Sequence, residues 1–351
     1  MKNSHADQEP RTPRGWKDGV KSALLFCLYY SGLERLLARL IPAEAVAILM
    51  YHGVCDRSAV PAHINFHLGR RLFERQMRIL KQRYRVMPLA EVVAALSRGG
   101  RIGKAVVLTF DDGYQNNARY AAPVLEKLGF PFTIFVVTAN VDAGSWLPLN
   151  TIYWLWSAGR LTTAEMNDLR DQVRSRPWHE VRERFETVIH QHSVAATQEA
   201  EDSFDMLSWD QIRNMADRGV EFGSHTHDHC NMRVEDVSQQ HTELAMSKDL
   251  LEAHLRRPVF CFAYPYGRTE HMSETSREQV IAAGYKCALS TEQGLVTCQS
   301  DPFRLPRLGY DARIWMFAGE ILYRFLQAAA RDQLARLMGR ALSGQAKESH
   351  G

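Results

Sequence analysis

Read for its apolar and polar positions, the chain alternates short unbroken apolar runs with stretches of helical spacing. Ala45 to His52, Val106 to Asp111, Pro131 to Val137, Val220 to His225 and Val259 to Tyr264 are runs of strand length, bounded by turn residues. Phe73 to Tyr84 and Pro88 to Leu96 carry helical spacing, and Ala118 to Leu128 is a helix ended by Gly129. Trp209 to Arg218, Val237 to Leu255 with Asp236 as its N-cap, and Ser276 to Ala283 add helices, while Lys286 to Ser290 and Phe303 to Arg307 add strands. Strands alternating with helices predict an α/β fold with a parallel sheet. Four of the runs end on a polar residue, at His52, Asp111, His225 and Tyr264, and in a parallel barrel such carboxyl ends converge on one face.

Two regions depart from this rhythm. Residues 146–205 hold Trp146, Trp154, Trp156 and Trp178 among charged helical stretches with no strand candidate. They read as an inserted helical lobe, expected to shape a cleft with Trp154 and Trp156 because it follows a strand whose carboxyl end opens on the catalytic face. Residues 1–15 are polar, with two prolines, and read as a disordered tail. The apolar core that follows, Ala23 to Tyr30, is shorter than the ~20 residues of a membrane span and lacks the pattern of a cleaved signal peptide. Residues 16–40 are therefore expected to form an amphipathic helix that either rests on a membrane surface or packs on the domain. The expected location is cytoplasmic or peripheral at the inner face of a membrane. The domain plan is a tail and helix over 1–44, a barrel over 45–310 and a helical segment with its tail over 311–351.

Composition adds little beyond exclusions. Hydrophobic residues make up 45% and charged residues 24%, values of an ordinary globular chain. A net charge of +3 without a basic block gives no electrostatic footprint for nucleic acid. The six cysteines show no Cys-x-x-Cys pair, which argues against a zinc ribbon and a disulfide framework, and Cys230 reads as a small buried side chain beside a histidine cluster.

The chemistry concentrates in two stretches. Asp111 and Asp112 end a buried strand, and two adjacent buried carboxylates need a cation to resolve their conflict, unless they are only a solvated Asp-Gly turn. His225 and His229 stand four apart, a spacing that brings two imidazoles onto one ion if the loop coils, while His227 faces away. Together with Asp112 they make a His-His-carboxylate set with positions left for water.

Thr109 to Gly113, His225-Thr-x-x-His229 and Phe262 to Gly267 resemble the successive motifs of the NodB-type polysaccharide deacetylases, carbohydrate esterase family 4, over roughly residues 45–310. The resemblance implies a distorted (β/α) barrel with a helical insertion, and removal of N-acetyl, less often O-acetyl, groups from a glycan. It assigns Asp111 as catalytic base, Asp112, His225 and His229 as ligands of a divalent metal, usually zinc, and the backbone N–H of Tyr266 as oxyanion donor. The late general-acid histidine of the family pattern is missing. Met50-Tyr51-His52 instead looks like the permuted subfamily of poly-N-acetylglucosamine deacetylases, which makes His52 the general acid. The family's arginine before Pro-Tyr is also missing, and Arg307 is the residue that would compensate. The same site would also serve a hydrolase of small amides or esters, and a barrel without turnover would be a carbohydrate-binding pseudoenzyme.

Overall fold

The computed structural model describes residues 16–41, 43–56, 66–100, 102–192 and 194–348. The expected tail over 1–15 lies outside these residues.

Among the described residues ten strands form in chain order: β1 (Val46–Tyr51), β2 (Gly53–Cys55), β3 (His67–Gly69), β4 (Arg85–Val86), β5 (Ala105–Phe110), β6 (Thr133–Val136), β7 (Glu221–Ser224), β8 (Cys261–Ala263), β9 (Cys287–Gln293) and β10 (Leu305–Gly309). In the main sheet β1 is followed by β10, β9, β8, β7, β6, β5 and β4, and β1 also pairs with β5. That pairing closes seven parallel strands into a barrel, with β4 as an extra strand on the outside of β5. All six residues of β1 and all six of β5 are buried. Apolar side chains therefore fill both sides of these strands, as a barrel wall under helices requires. The short β2–β3 ribbon carries no periodic signal in the sequence and was not expected from it.

The expected helices form close to their predicted limits. Val237–Leu255 is helical as expected, and Asp236 caps it by accepting the Gln239 N–H at 2.8 Å. The helix over Ala118 to Leu128 opens with a π-helical turn, Asn117–Ala121, before Ala122–Leu128. The lobe is all helix, at Pro148–Ser157, Thr163–Ser175, Trp178–His192 and Gln198–Phe204, with its own apolar core around Ile152, Leu155, Leu169 and Phe185.

The expected single helix over 16–40 is two. Gly32, at φ +77°, separates α1 (Trp16–Tyr30) from α2 (Leu33–Leu40). Both pack on the barrel flank with the carboxy-terminal helix Ile314–Glu348. Leu25 is buried against Gly319, where an added Cβ would lie 2.8 Å from Leu25, so only glycine allows this approach. Glu34, fully buried, pairs with Arg83 at 2.6 Å and fixes α2 to the barrel's outer layer.

Candidate metal centre

The site grows from the carboxyl ends of neighbouring strands. Asp111 and Asp112 follow β5, His225 follows β7, Tyr266 lies just beyond β8, and His52 follows β1. Tyr51 is in register with Phe110, and the Asp111 N–H donates to the Tyr51 carbonyl at 2.9 Å, so His52 emerges beside the Asp pair. Among the described residues five non-glycine residues adopt positive φ, and four of them are here: Asp112, Thr226, His229 and Tyr266. Such conformations cost about 1–3 kcal/mol each and persist only where surrounding contacts enforce them. At the Tyr266 turn those contacts are visible. The Thr291 N–H donates to the Gly267 carbonyl at 2.7 Å, and an added Cβ on Gly267 would meet Thr291 at 2.8 Å.

Asp112, His225 and His229 each offer a ligand atom, and these atoms lie within 4.8 Å of one another. Asp112 Oδ1 is 3.6 Å from His225 Nε2 and 3.4 Å from His229 Nε2. These gaps are too long for good hydrogen bonds, yet two ligands bonded at about 2.1 Å to one tetrahedral ion stand about 3.4 Å apart. The protonation states agree. Burial pushes His225 down to about 4, which keeps it the neutral imidazole that a metal needs. Its Nδ1 lies 2.7 Å from the Ala263 carbonyl, and donating there leaves the Nε2 lone pair facing the site. Burial raises the Asp112 carboxyl, but the nearness of His229 and then His52 outweighs it and holds Asp112 well below the carboxylate range. The donor set thus fits a divalent ion. His227 turns away to Thr138, 2.9 Å from its hydroxyl, and Cys230 is buried outside the ligand cluster.

Asp111 is not a ligand but an ion-paired base candidate. Arg307, fully buried, reaches both of its carboxylate oxygens at 2.7 Å, donates to the Ser290 carbonyl at 2.8 Å, and lies 3.3 Å from the Thr109 hydroxyl. Burial pulls the Asp111 carboxyl up, and the Arg307 guanidinium brings it below its ordinary value. Arg307 thus reaches Asp111 from β10, with β1 between the two strands.

Two further residues were not singled out from the sequence. Glu243, buried in the helix Val237–Leu255, accepts the backbone N–H groups of His227 and Asp228, each at 2.9 Å, and so fixes the loop between the two histidines. Burial and then the Asp228 charge push Glu243 up to about 8. His67, on β3, is buried with both ring nitrogens unpartnered, edge-on to Tyr114 at 4.8 Å. Burial and then His52 push it down to about 3, so it is a neutral ring in the same pocket as His52, whose Nδ1 is itself buried without a partner.

The lobe reaches a small pocket beside the site, although not with Trp154 or Trp156. Trp178, Leu149, Pro148 and Val173 line a pocket with His229 and Tyr266. Trp154 packs between the lobe's core and the barrel, and Trp146 donates to Asp205 at 2.8 Å. The lobe is held to the site by Asn231 donating to the Arg174 carbonyl at 2.7 Å, and by Glu235 accepting the Trp178 N–H at 2.7 Å.

The family model described as polysaccharide deacetylase matches residues 98–288, more than half of the chain. Among proteins of known name, the chain is similar to YxkH of Bacillus subtilis (strain 168), at 23% identity over 76% of this chain and 71% of that protein. It is similar to a poly-beta-1,6-N-acetyl-D-glucosamine N-deacetylase of Staphylococcus aureus (strain MRSA252), at 23% identity over 70% of this chain and 68% of that protein. Among solved structures, the Streptococcus pyogenes deacetylase PplD in complex with acetate superposes with a TM-score of 0.58 at 22% identity, covering 81% of this chain and 99% of that one. At that identity the likeness is one of fold.

Proposed function

The chain belongs to the polysaccharide deacetylase family, and on that premise we propose that it removes N-acetyl groups from a poly-N-acetylglucosamine-like glycan with zinc as its ion. The observation that carries the reading is the Asp112–His225–His229 donor set standing beside an Asp111 clamped by Arg307. The named Staphylococcus aureus relative supports the choice of glycan. Two imidazoles and a carboxylate with room for water support the choice of zinc.

Asp112, His225 and His229 would hold the ion, which when bound polarises a carbonyl and acidifies water. Asp111, kept ionised by Arg307, accepts the proton of the water that attacks the acetyl carbon. The Tyr266 N–H donates to the oxygen that gains charge as the tetrahedral centre forms. His52 gives a proton to the nitrogen, the C–N bond breaks, and acetate leaves a free amine on the sugar. His52 stands next to the Asp pair at the end of β1, where acid and base can act on one bound group from two strands. Peripheral contact of residues 16–40 with a membrane belongs to the same reading, supported by the exposed apolar side chains of α1 and α2.

The test is acetate release from N-acetylated β-1,6-glucosamine oligomers, before and after chelation and with zinc restored. Release that chelation stops and zinc restores is expected. Release only from small aryl acetates or simple amides would replace the glycan reading with that of a small-ester or small-amide hydrolase. Oligomer binding without release would make the protein a carbohydrate-binding pseudoenzyme.

A further inference from the structure

The structure covers only one side of α1. Leu25 points inward onto Gly319, and Lys21 is engaged by Glu320 at 2.6 Å and by the Tyr323 ring at 4.4 Å. The outward side is apolar as well. Val20 is 58% exposed, Leu24 57%, Phe26 45% and Tyr30 60%, with Ala23 and Cys27 exposed between them. A helix that is apolar all round is normally buried or set in lipid, and here half of it is uncovered. The surface continues onto α2, where Leu33, Leu36 and Leu40 are exposed while Glu34, its one acid, is buried on Arg83.

The charge around this face has one sign. From Gly19 to Leu40 the exposed charged side chains are Arg35 and Arg39. A second copy of the chain on the same face would set these cations against each other or against the apolar side chains, which disfavours a two-fold interface. An anionic lipid surface meets both requirements: acyl chains for the leucines and headgroup phosphates for the arginines. Phe26 and Tyr30 pack together beside Trp315, a group of aromatic rings of the kind that sits at headgroup depth. No helix among the described residues is long and apolar enough to cross a bilayer, so contact would be with one leaflet.

We infer that α1 and α2 form a docking face for an anionic bilayer, a deepening of the membrane-contact reading that names its lipid class and residues. The face runs along the barrel flank. Its α1 end meets Trp315, just after β10 leaves the catalytic rim, and its α2 end is held by Lys104, just before β5, donating to the Ala38 and Ile41 carbonyls at 2.6 Å. Docking there leaves the mouth of the barrel uncovered and beside the membrane plane, open to a glycan.

The experiment is flotation of the full chain with vesicles of phosphatidylcholine alone and of phosphatidylcholine with phosphatidylglycerol. Binding to the anionic vesicles is expected to be about tenfold or more the stronger, and to weaken as salt rises. The double substitution Leu24→Ser and Leu36→Ser should reduce that binding about tenfold, and Arg35→Glu with Arg39→Glu should remove the preference for anionic lipid. Both variants should keep deacetylation of a soluble oligomer, and the serine variant should keep wild-type thermal melting as well, since Leu24 and Leu36 are exposed, whereas Arg39 also donates to the Gln82 carbonyl at 3.2 Å. Equal binding to both vesicles would overturn the anionic docking face while leaving membrane contact standing, and absence of binding to either would overturn both. A stable dimer in light scattering that Leu24→Ser with Leu36→Ser dissociates would overturn the proposal in favour of a second copy of the chain.

Discussion

Replacing Arg307 with methionine tests the centre of the site most directly. Arg307 and Asp111 are 0% and 2% exposed in their side chains, and two charge-assisted contacts of 2.7 Å join them. Removing one partner of such a pair leaves a buried carboxylate uncompensated, at a cost of about 3–5 kcal/mol. The cost has a defined pH dependence. In the wild type Asp111 lies below its ordinary value, so its pairing stabilises the fold above the unfolded-state value of about 3.9 and is lost as acid protonates it. In Arg307→Met the strongest counter-charge is gone and burial prevails, so Asp111 rises above its unfolded value. Its penalty is then absent below about pH 4 and grows as pH rises through the new folded value. The stability gap between wild type and variant, measured by urea unfolding of metal-stripped protein, should therefore be wide at pH 8 and narrow at pH 5. Adding Asp111→Asn to Arg307→Met should recover about 2 kcal/mol or more, because the orphaned charge is gone. A variant within about 1 kcal/mol of wild type at pH 8, or a double variant no more stable than the single one, would refute the clamp.

Other consequences follow from the same geometry. Alanine at Asp112, His225 or His229 should abolish stoichiometric metal in elemental analysis, because three protein ligands is the minimum for an open site of this kind; a variant that retains a full equivalent contradicts the ligand set. His52→Ala should slow N-deacetylation by about 10²-fold or more yet largely spare an aryl acetate, whose leaving group departs as an anion without needing a proton. Equal loss on both substrates would make His52 structural. Glu243→Ala should weaken zinc affinity about 10- to 100-fold by releasing the amides of His227 and Asp228, whereas Glu243→Gln, which can still accept one of them, should lose less; zinc titration against a competing chelator reads the difference.

Much of this molecule is legible along the chain because burial repeats with local period. The run Val106–Asp111 marks a barrel strand, Asp236 marks the start of its helix, and the four polar strand ends at His52, Asp111, His225 and Tyr264 meet on one rim as parallel strands require. The metal ligands belong to the same class, since Asp112 sits at a strand end and the two histidines are four residues apart. What the tertiary structure alone decided involves residues that are distant in sequence. Arg307 finds Asp111 across 196 positions because β1 pairs with both β5 and β10, and that closure carries no local signature. Among the tryptophans of the lobe the sequence pointed to Trp154 and Trp156, whereas packing set Trp178 in the pocket beside His229 and drew Trp154 towards the core. Glu243 looks like any mid-helix acid until the loop of the histidines lies on it. For residues 16–40 the sequence left lipid contact and domain packing equally open. The fold gave α1 one inward face on the carboxy-terminal helix and left the other uncovered, because a helix that is apolar on every side needs more neighbours than one flank of a barrel provides.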